Sequence, residues 1–339
     1  MTGIDWKNLP FGYYKTNYNV RCYYTNGKWS EPELSNSEFM NVHIAATGLH
    51  YGQEAFEGMK AFMGKDGKIR LFRWRDNAAR MNSSARGIVM QEIPEELFYK
   101  AITMAIINNK EFVPPYGTGA SLYIRPLLFG SGAEVGVKPA KEYTFVVFVT
   151  PVGPYFKEGF KPVDFQLVRD YDRAAPHGTG HIKVGGNYAA SLLAIVRAHN
   201  EGYNSVVFVD SKEGIYIDEC GPANFFAIKG DKYITPKSNS ILPSITNKSL
   251  MKIAEEIGLK VEQRPVRVEE LVEFDEVGAC GTAAVISPIK KIADRSNGIV
   301  YNFCKDGKSG PVSTKLFNKL QGIQYGDEID KYGWITFVE

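Results

Sequence analysis

His181-Ile182-Lys183-Val184-Gly185-Gly186-Asn187-Tyr188 is the stretch around which this chain reads as organised. A lone lysine stands just before two glycines, and an alanine- and leucine-rich run with helical spacing follows from Ala189 to Ala198. Lys183 is therefore expected on a tight turn that opens a helix. The glycines let a backbone or a ligand come close. A lysine so placed can anchor a carbonyl cofactor covalently, provided its amine is held neutral. Taken alone, the stretch fits a surface lysine beside a flexible turn better, because short motifs recur by chance.

The rest of the chain shifts that balance. At 339 residues it suits about two domains of roughly 150 residues each. With 44% hydrophobic and 23% charged residues it reads as a soluble globular protein. A net charge of +2 offers no electrostatic reason to expect nucleic acid or an anionic membrane as partner. No apolar run approaches the ~20 residues a membrane span needs, and the start, Met1-Thr2-Gly3-Ile4-Asp5-Trp6, lacks a signal-peptide pattern. Cys22, Cys220, Cys280 and Cys304 are scattered, which reads as reduced thiols in a cytoplasmic protein.

In the first part, Val20 to Tyr24 reads as a strand, and Asn26-Gly27 as a two-residue hairpin turn. Met59 to Met63 and Ile69 to Phe72 form a second hairpin, and Arg75 to Met90 and Glu95 to Asn108 have helical spacing. Ser121 to Phe129 and Tyr143 to Thr150 are apolar strands. Prolines and glycines from Pro151 to Pro162 mark a linker. We therefore expect an N-terminal domain over 1–152, a linker over 153–172 and a C-terminal domain over 173–339 carrying the lysine. Phe165 to Arg169 reads as a strand, and short strands follow the lysine helix. Thr246 to Ile257 reads as a helix that Ser244 or Thr246 caps and Gly258 ends. Strands and helices do not alternate regularly, so the fold class is α+β.

Several familiar patterns fail. Gly130-Ser131-Gly132 starts like a dinucleotide fingerprint, but its third glycine comes one residue late, at Gly136. Gly307-Lys308-Ser309 lacks the earlier glycine of a phosphate loop. His177 and His181 have no companion ligands at zinc spacing, so no metal is expected.

Other residues accumulate around one idea. A phosphorylated aldehyde cofactor needs phosphate donors, a partner for its ring nitrogen, a hydrogen bond to its ring hydroxyl and a substrate site. Ser244-Ile245-Thr246 opens a helix and offers N–H groups and hydroxyls to a phosphate. Gly281-Thr282-Ala283 adds small-residue donors, and Arg80 adds charge. Glu219, at a strand end, suits a pyridine nitrogen, and Tyr188 a ring hydroxyl. Tyr123 and Arg125 alternate onto one strand face, where a half-buried arginine wants an anion. Each residue alone has an ordinary explanation as a cap, a turn acid, a packed aromatic or a structural ion pair.

The chain is similar to the branched-chain-amino-acid aminotransferases, in the fold-type IV group of pyridoxal-phosphate enzymes, from Phe11-Gly12 to about Trp334. The resemblance is carried by Gly48-Leu49-His50-Tyr51-Gly52, Phe56-Glu57-Gly58, Arg80-Met81, Leu122-Tyr123-Ile124-Arg125-Pro126 and Gly153-Pro154-Tyr155. It continues through Lys183 to Tyr188, Glu219-Cys220-Gly221 with Asn224, Leu242-Pro243-Ser244-Ile245-Thr246 and Gly281-Thr282-Ala283. It implies a two-domain fold with the active site at the domain interface, and Lys183 as anchor of pyridoxal 5'-phosphate and as proton carrier. Glu219 would meet the ring nitrogen and Tyr188 the ring oxygen, while Arg80, Ile245, Thr246 and Thr282 would bind phosphate. Tyr123 and the Thr282-Ala283 amides would take the substrate carboxylate, with Arg125 in support. Phe11, Tyr51, Phe56 and Tyr155 would line an aliphatic pocket, and a homodimer is implied, with Tyr51 lent by the neighbouring subunit.

The implied reaction moves the amino group of leucine, isoleucine or valine to 2-oxoglutarate. A D-amino-acid aminotransferase or an aminodeoxychorismate lyase would use the same lysine, but the Tyr-Ile-Arg-Pro and Phe-Glu-Gly motifs argue against both. A protein that binds the cofactor without turnover is a further alternative. Animal members carry a Cys-x-x-Cys where this chain has Ala284 and Ser287, so a thiol switch is not expected. Pro222 stands where some relatives have a pocket threonine.

Overall fold

Two runs of strands dominate the computed structural model, which describes residues 3–155, 160–304 and 306–339. The first run comprises β1 (Asn19–Thr25), β2 (Lys28–Trp29), β3 (Glu33–Ser35), a short helix α1 (Thr47–His50), β4 (Glu54–Phe56), β5 (Met59–Met63) and β6 (Ile69–Phe72). Helices α2 (Trp74–Gly87) and α3 (Glu95–Ile107) follow, then the long strands β7 (Ser121–Gly130) and β8 (Tyr143–Val152). Asn26 and Gly27 have φ of 52° and 79°, the left-handed pair that a tight hairpin between β1 and β2 requires.

The second run holds β9 (Val163–Val168), α4 (Gly185–Asn200), β10 (Ser205–Phe208), β11 (Glu219–Cys220), β12 (Ala223–Lys229) and β13 (Lys232–Pro236). It continues with α5 (Ile245–Glu256), β14 (Lys260–Arg264), β15 (Glu276–Gly281), β16 (Val285–Asp294) and β17 (Val300–Asn302). Helix α6 (Pro311–Tyr325) and strand β18 (Ile335–Val338) close the chain. Strands and helices are mixed without regular alternation, which is the α+β class expected from the sequence.

Two compact units result. The first comprises Met1–Tyr155, Ile182–Gly185 and Gly322–Glu339, and the second Phe156–His181 and Gly186–Gln321. In the first unit the strand order is β18-β6-β5-β7-β8-β1-β2, with β3 on β1 and β4 on β7. Helices α2 and α3 cover this sheet through Ala78, Met81, Ala85, Phe98, Ile102 and Ile106, all buried. In the second unit the order is β10-β9-β16-β15-β12-β13-β14, with β9 parallel to both its neighbours.

The chain returns to the first unit twice, at Ile182–Gly185 and at β18, which pairs antiparallel with β6. A division drawn from chain order does not contain these returns. Pro151 and Val152 belong to β8, and β9 lies within the stretch read as linker; Gly159 in that stretch lies outside the described residues. Helix α6 and β18 carried no sequence expectation, although Leu316, Leu320 and Ile323 form a buried stripe at helical spacing.

The start of α6 is held by a carboxylate from another strand. Glu276, on β15 and largely buried, accepts the N–H groups of Val312 at 2.9 Å and Ser313 at 2.7 Å. Those donors have no partner within the helix. Glu276→Ala strands both, and the urea midpoint for unfolding of the second unit should fall by the equivalent of about 1–3 kcal/mol.

Candidate active site

In the first unit, the lysine turn is held against β4 by an isolated β-bridge. Ile182 and Val184 are buried in the core under α2 and the sheet, so Lys183 between them faces the other way. Gly87 makes this possible, because a Cβ there would lie 2.6 Å from the Ile182 Cδ1. Val184 forms an antiparallel bridge with Ala55 of β4, and the Phe56 N–H donates to the Lys183 carbonyl at 3.1 Å. The Lys183 N–H donates in turn to the Ser84 hydroxyl of α2 at 2.8 Å. Two elements, β4 and α2, thus fix the lysine backbone.

Around its amine stand groups of both signs. Lys183 Nζ lies 4.7 Å from the Phe56 ring centroid, and the Arg125 guanidinium lies 4.8 Å from the same ring. Arg80, on α2, donates through Nε and Nη2 to the two oxygens of Glu57 at 2.7 and 2.8 Å. Glu57 is fully buried and also accepts from Asn77 at 2.7 Å. Desolvation, then the Arg80 charge, lowers the Lys183 amine to about 8, with Arg125 adding to the shift and Glu57 and Tyr123 opposing it. About one amine in ten is then neutral at pH 7, against roughly one in three thousand for an ordinary lysine.

Tyr123 and Arg125 share a face of β7, as strand alternation requires, and Arg125 Nη2 donates to the Tyr123 hydroxyl at 3.1 Å. The Arg125 Nε is buried with no hydrogen-bond partner, the state of a donor built for an anion. A Cβ at Gly58 would overlap the Tyr123 hydroxyl, so that glycine gives the phenol its place. Phe11 packs edge-on against Tyr123 and against Tyr155, each with centroids 5.3 Å apart. Lys183, Arg80, Phe56, Tyr123, Arg125, Phe11 and Tyr155 therefore gather in one unit. Tyr51 does not join them in this chain: it is exposed, stacks near His50 and donates to the Val135 carbonyl.

In the second unit, Glu219 is buried on β11. Its Oε1 accepts the Leu242 N–H at 2.7 Å and an Asn224 N–H at 3.3 Å, and its Oε2 lies 3.5 Å from the buried Arg173. Asn224 and Thr235 tie on to Asn247 in the first turn of α5, which also accepts from Tyr233. That network sets the start of α5 beside Glu219. Ser244 caps the helix, accepting the Asn247 N–H at 3.2 Å, and Ile245 and Thr246 occupy its first turn without an acidic neighbour there. Such an end attracts anions. Thr282 and Ala283 form the turn between β15 and β16, which closes on Val285 at a φ of 61°. A β-branched residue is strained there by about 1–3 kcal/mol. Tyr188 is half-buried in the first turns of α4, and Pro222 is exposed on the turn from β11 to β12.

Sequence reading missed the partners of these groups. Glu57 was quoted only as part of a motif, and Arg173 and Ser84 were not singled out. Lys60 was also missed. It is buried on β5 directly across from Tyr123, and desolvation lowers its amine to about 8. The lone lysine in the Met59–Met63 strand was its only signal.

The amino-transferase class IV family matches residues 54–292. The chain is 46% identical to the branched-chain-amino-acid aminotransferase of Haemophilus influenzae, over the full length of both. The crystal structure of the Escherichia coli branched-chain amino acid aminotransferase has a TM-score of 0.81 and 30% identity, covering 96% of this chain and all of that one. That of the branched-chain amino acid aminotransferase from Thermobaculum terrenum, in its PLP-form, has a TM-score of 0.77 and 25% identity, covering 96% and 99%. The chain belongs to the class IV aminotransferases and, among them, to the branched-chain-amino-acid aminotransferases.

The electrostatics of the lysine yield a test that needs no cofactor. The rate at which an acetylating reagent modifies Lys183, mapped by peptide mass spectrometry, should rise about tenfold per pH unit and level off near 8. In Arg80→Gln a cation is lost and Glu57 is left uncompensated. Both changes favour the ammonium form, so the midpoint should move upward.

Proposed function

We propose that the protein catalyses reversible transfer of the amino group of L-leucine, L-isoleucine or L-valine to 2-oxoglutarate, using pyridoxal 5'-phosphate. The observation that carries this reading is the desolvated Lys183 amine, held beside an aromatic ring, a part-buried tyrosine–arginine pair and a bidentate Arg80–Glu57 pair. The residues fit the cofactor by the chemistry of their donor sets. They offer a low-pKa amine, a buried carboxylate backed by an arginine, and a helix start free of acidic side chains.

When bound, the cofactor supplies an electron sink for the Cα–H bonding pair of the amino acid. Lys183 would hold the cofactor and carry the proton to and from the substrate Cα, for which its lowered pKa suits it. Glu219, kept in place by Arg173 and the Leu242 N–H, would face the ring nitrogen, and Tyr188 the ring hydroxyl. Arg80, Ile245, Thr246 and Thr282 would hold the phosphate. Tyr123 and the Thr282 and Ala283 amides would orient the substrate carboxylate, supported by Arg125. Phe11, Phe56 and Tyr155 would exclude water around the aliphatic side chain.

We also infer a homodimer in which Tyr51 serves the neighbouring subunit. Supporting this, the paired segments around Ala46 and Ala133 expose Ile44, Leu49, Tyr51, Val135 and Val137 together, the kind of apolar patch that marks an interface. The four cysteines are free thiols, which fits a cytoplasmic enzyme. Among the described residues no helix is long and apolar enough to cross a membrane.

The decisive experiment compares the wild type with Lys183→Ala. The wild type with pyridoxal phosphate should show a visible absorbance band and form glutamate from L-leucine and 2-oxoglutarate, but not from D-leucine. The variant should lose the band and at least about a thousandfold in rate. Full activity in the variant, or equal use of D-leucine, would sink this reading.

A further inference from the structure

Glu54 stands on β4 and takes no part in the roles assigned above. The antiparallel bridge between Ala55 and Val184 sets Phe56 opposite Lys183 and Glu54 opposite Gly185. Strand alternation then puts Glu54 and Phe56 on one face, the face that carries Lys183. The Glu54 carboxylate lies against Gly185, whose N–H helps to hold the carboxyl pKa down; Gly185 is the first residue of α4, whose first turn has no acidic side chain of its own. Contact between the two is tight: a Cβ at position 185 would overlap Glu54 Oε1 and come within 2.8 Å of its Cδ. At Gly186, by contrast, a Cβ would meet nothing within 4 Å. A side chain at 185 would therefore have to push this carboxylate aside.

We propose that Glu54 is a positioning residue for Lys183: by gripping Gly185 it holds the turn in the register that keeps the lysine amine over Phe56 and out of water. The proposal rests on Lys183 being the cofactor lysine, but its mechanical content concerns this chain alone. Ser84 and Phe56 secure the lysine peptide on the N-terminal side of the turn. Glu54 secures the other side, where two successive glycines would otherwise leave the backbone free. The charged and titratable groups facing the lysine amine are Arg80 from α2, Glu57 beyond β4, and Tyr123 and Arg125 from β7. Glu54 is not among them, so its influence is exerted through the backbone. Burial raises the Glu54 carboxyl, while the Gly185 N–H and the Arg125 charge pull it back.

The sign of one measurement separates a mechanical role from an electrostatic one. If Glu54 clamps the turn, its loss lets the Lys183 amine reach water, and the amine pKa climbs toward that of an ordinary lysine. If Glu54 acts only by its negative charge, its loss makes the ammonium less favourable, and the pKa falls. The experiment follows Lys183 acetylation against pH in the full chain freed of pyridoxal phosphate, for the wild type, Glu54→Ala, Glu54→Gln and Gly185→Ala. Glutamine keeps a side-chain oxygen of the same reach to lie against Gly185, whereas alanine at 185 pushes the carboxylate away from the turn.

We expect the midpoint to rise by about one pH unit or more in Glu54→Ala and Gly185→Ala, and to stay near the wild-type value in Glu54→Gln. With the cofactor restored, kcat should fall roughly tenfold or more in the first two and recover in the third. Equal responses of Glu54→Ala and Glu54→Gln, whether upward, downward or absent, would overturn the proposal. A wild type that transfers no amino group would defeat the transaminase reading, and the acetylation comparison would still decide the role of Glu54.

Discussion

The constraint on which most of the first unit depends is the desolvation of one ammonium group. Lys183 is held away from water by a two-residue bridge to β4, by a serine from α2 and by the burial of Ile182 and Val184 beside it. An amine so placed pays for lost hydration by giving up its proton more easily. The bidentate Arg80–Glu57 pair acts in both directions, since its cation lowers the amine pKa and its anion moderates the effect. Glu57 is buried enough that leaving it unpaired would be far costlier than the pair itself is worth. Asn77 and Arg80 satisfy it from a single helix, so the geometry of α2 sets the charge balance around the lysine.

The second unit works on the opposite sign of charge. Glu219 is a buried anion whose position is defined by a backbone N–H, an asparagine and Arg173. The same asparagine reaches Asn247, so the carboxylate and the N-terminal turn of α5 are parts of one polar network. Networks of this kind are stable only when most members are satisfied, which restricts how far any of them can shift. The strained Val285 closes the Thr282-Ala283 turn nearby in sequence, and strain of this kind tends to accumulate where backbone donors must point at a ligand.

Much of this was legible beforehand. Lys183 before two glycines and a helix, Ser244 as a cap, Asn26-Gly27 as a hairpin, and Tyr123 with Arg125 on one face all rest on local rules that need only a few neighbouring residues. The hairpin of β5 and β6 was legible for the same reason. The partners were not. Ser84 is 99 residues from Lys183, and Arg173 is 46 residues before Glu219; no local periodicity links such pairs. Tyr51 was read as a pocket residue lent by a neighbour; in this chain it is exposed and apart from the lysine group.

By itself, the sequence determined the class of fold, the residues able to do chemistry and the family motifs that join them, because propensity, alternation and capping act over short distances. Only the tertiary structure decided that the lysine turn bridges to β4 of the first unit and that Gly185 yields its space to Glu54. It alone decided how far burial and the Arg80 charge lower the amine pKa, to about 8. These are consequences of contacts between distant segments and of water excluded by both, and desolvation has no signature in the order of residues along a chain.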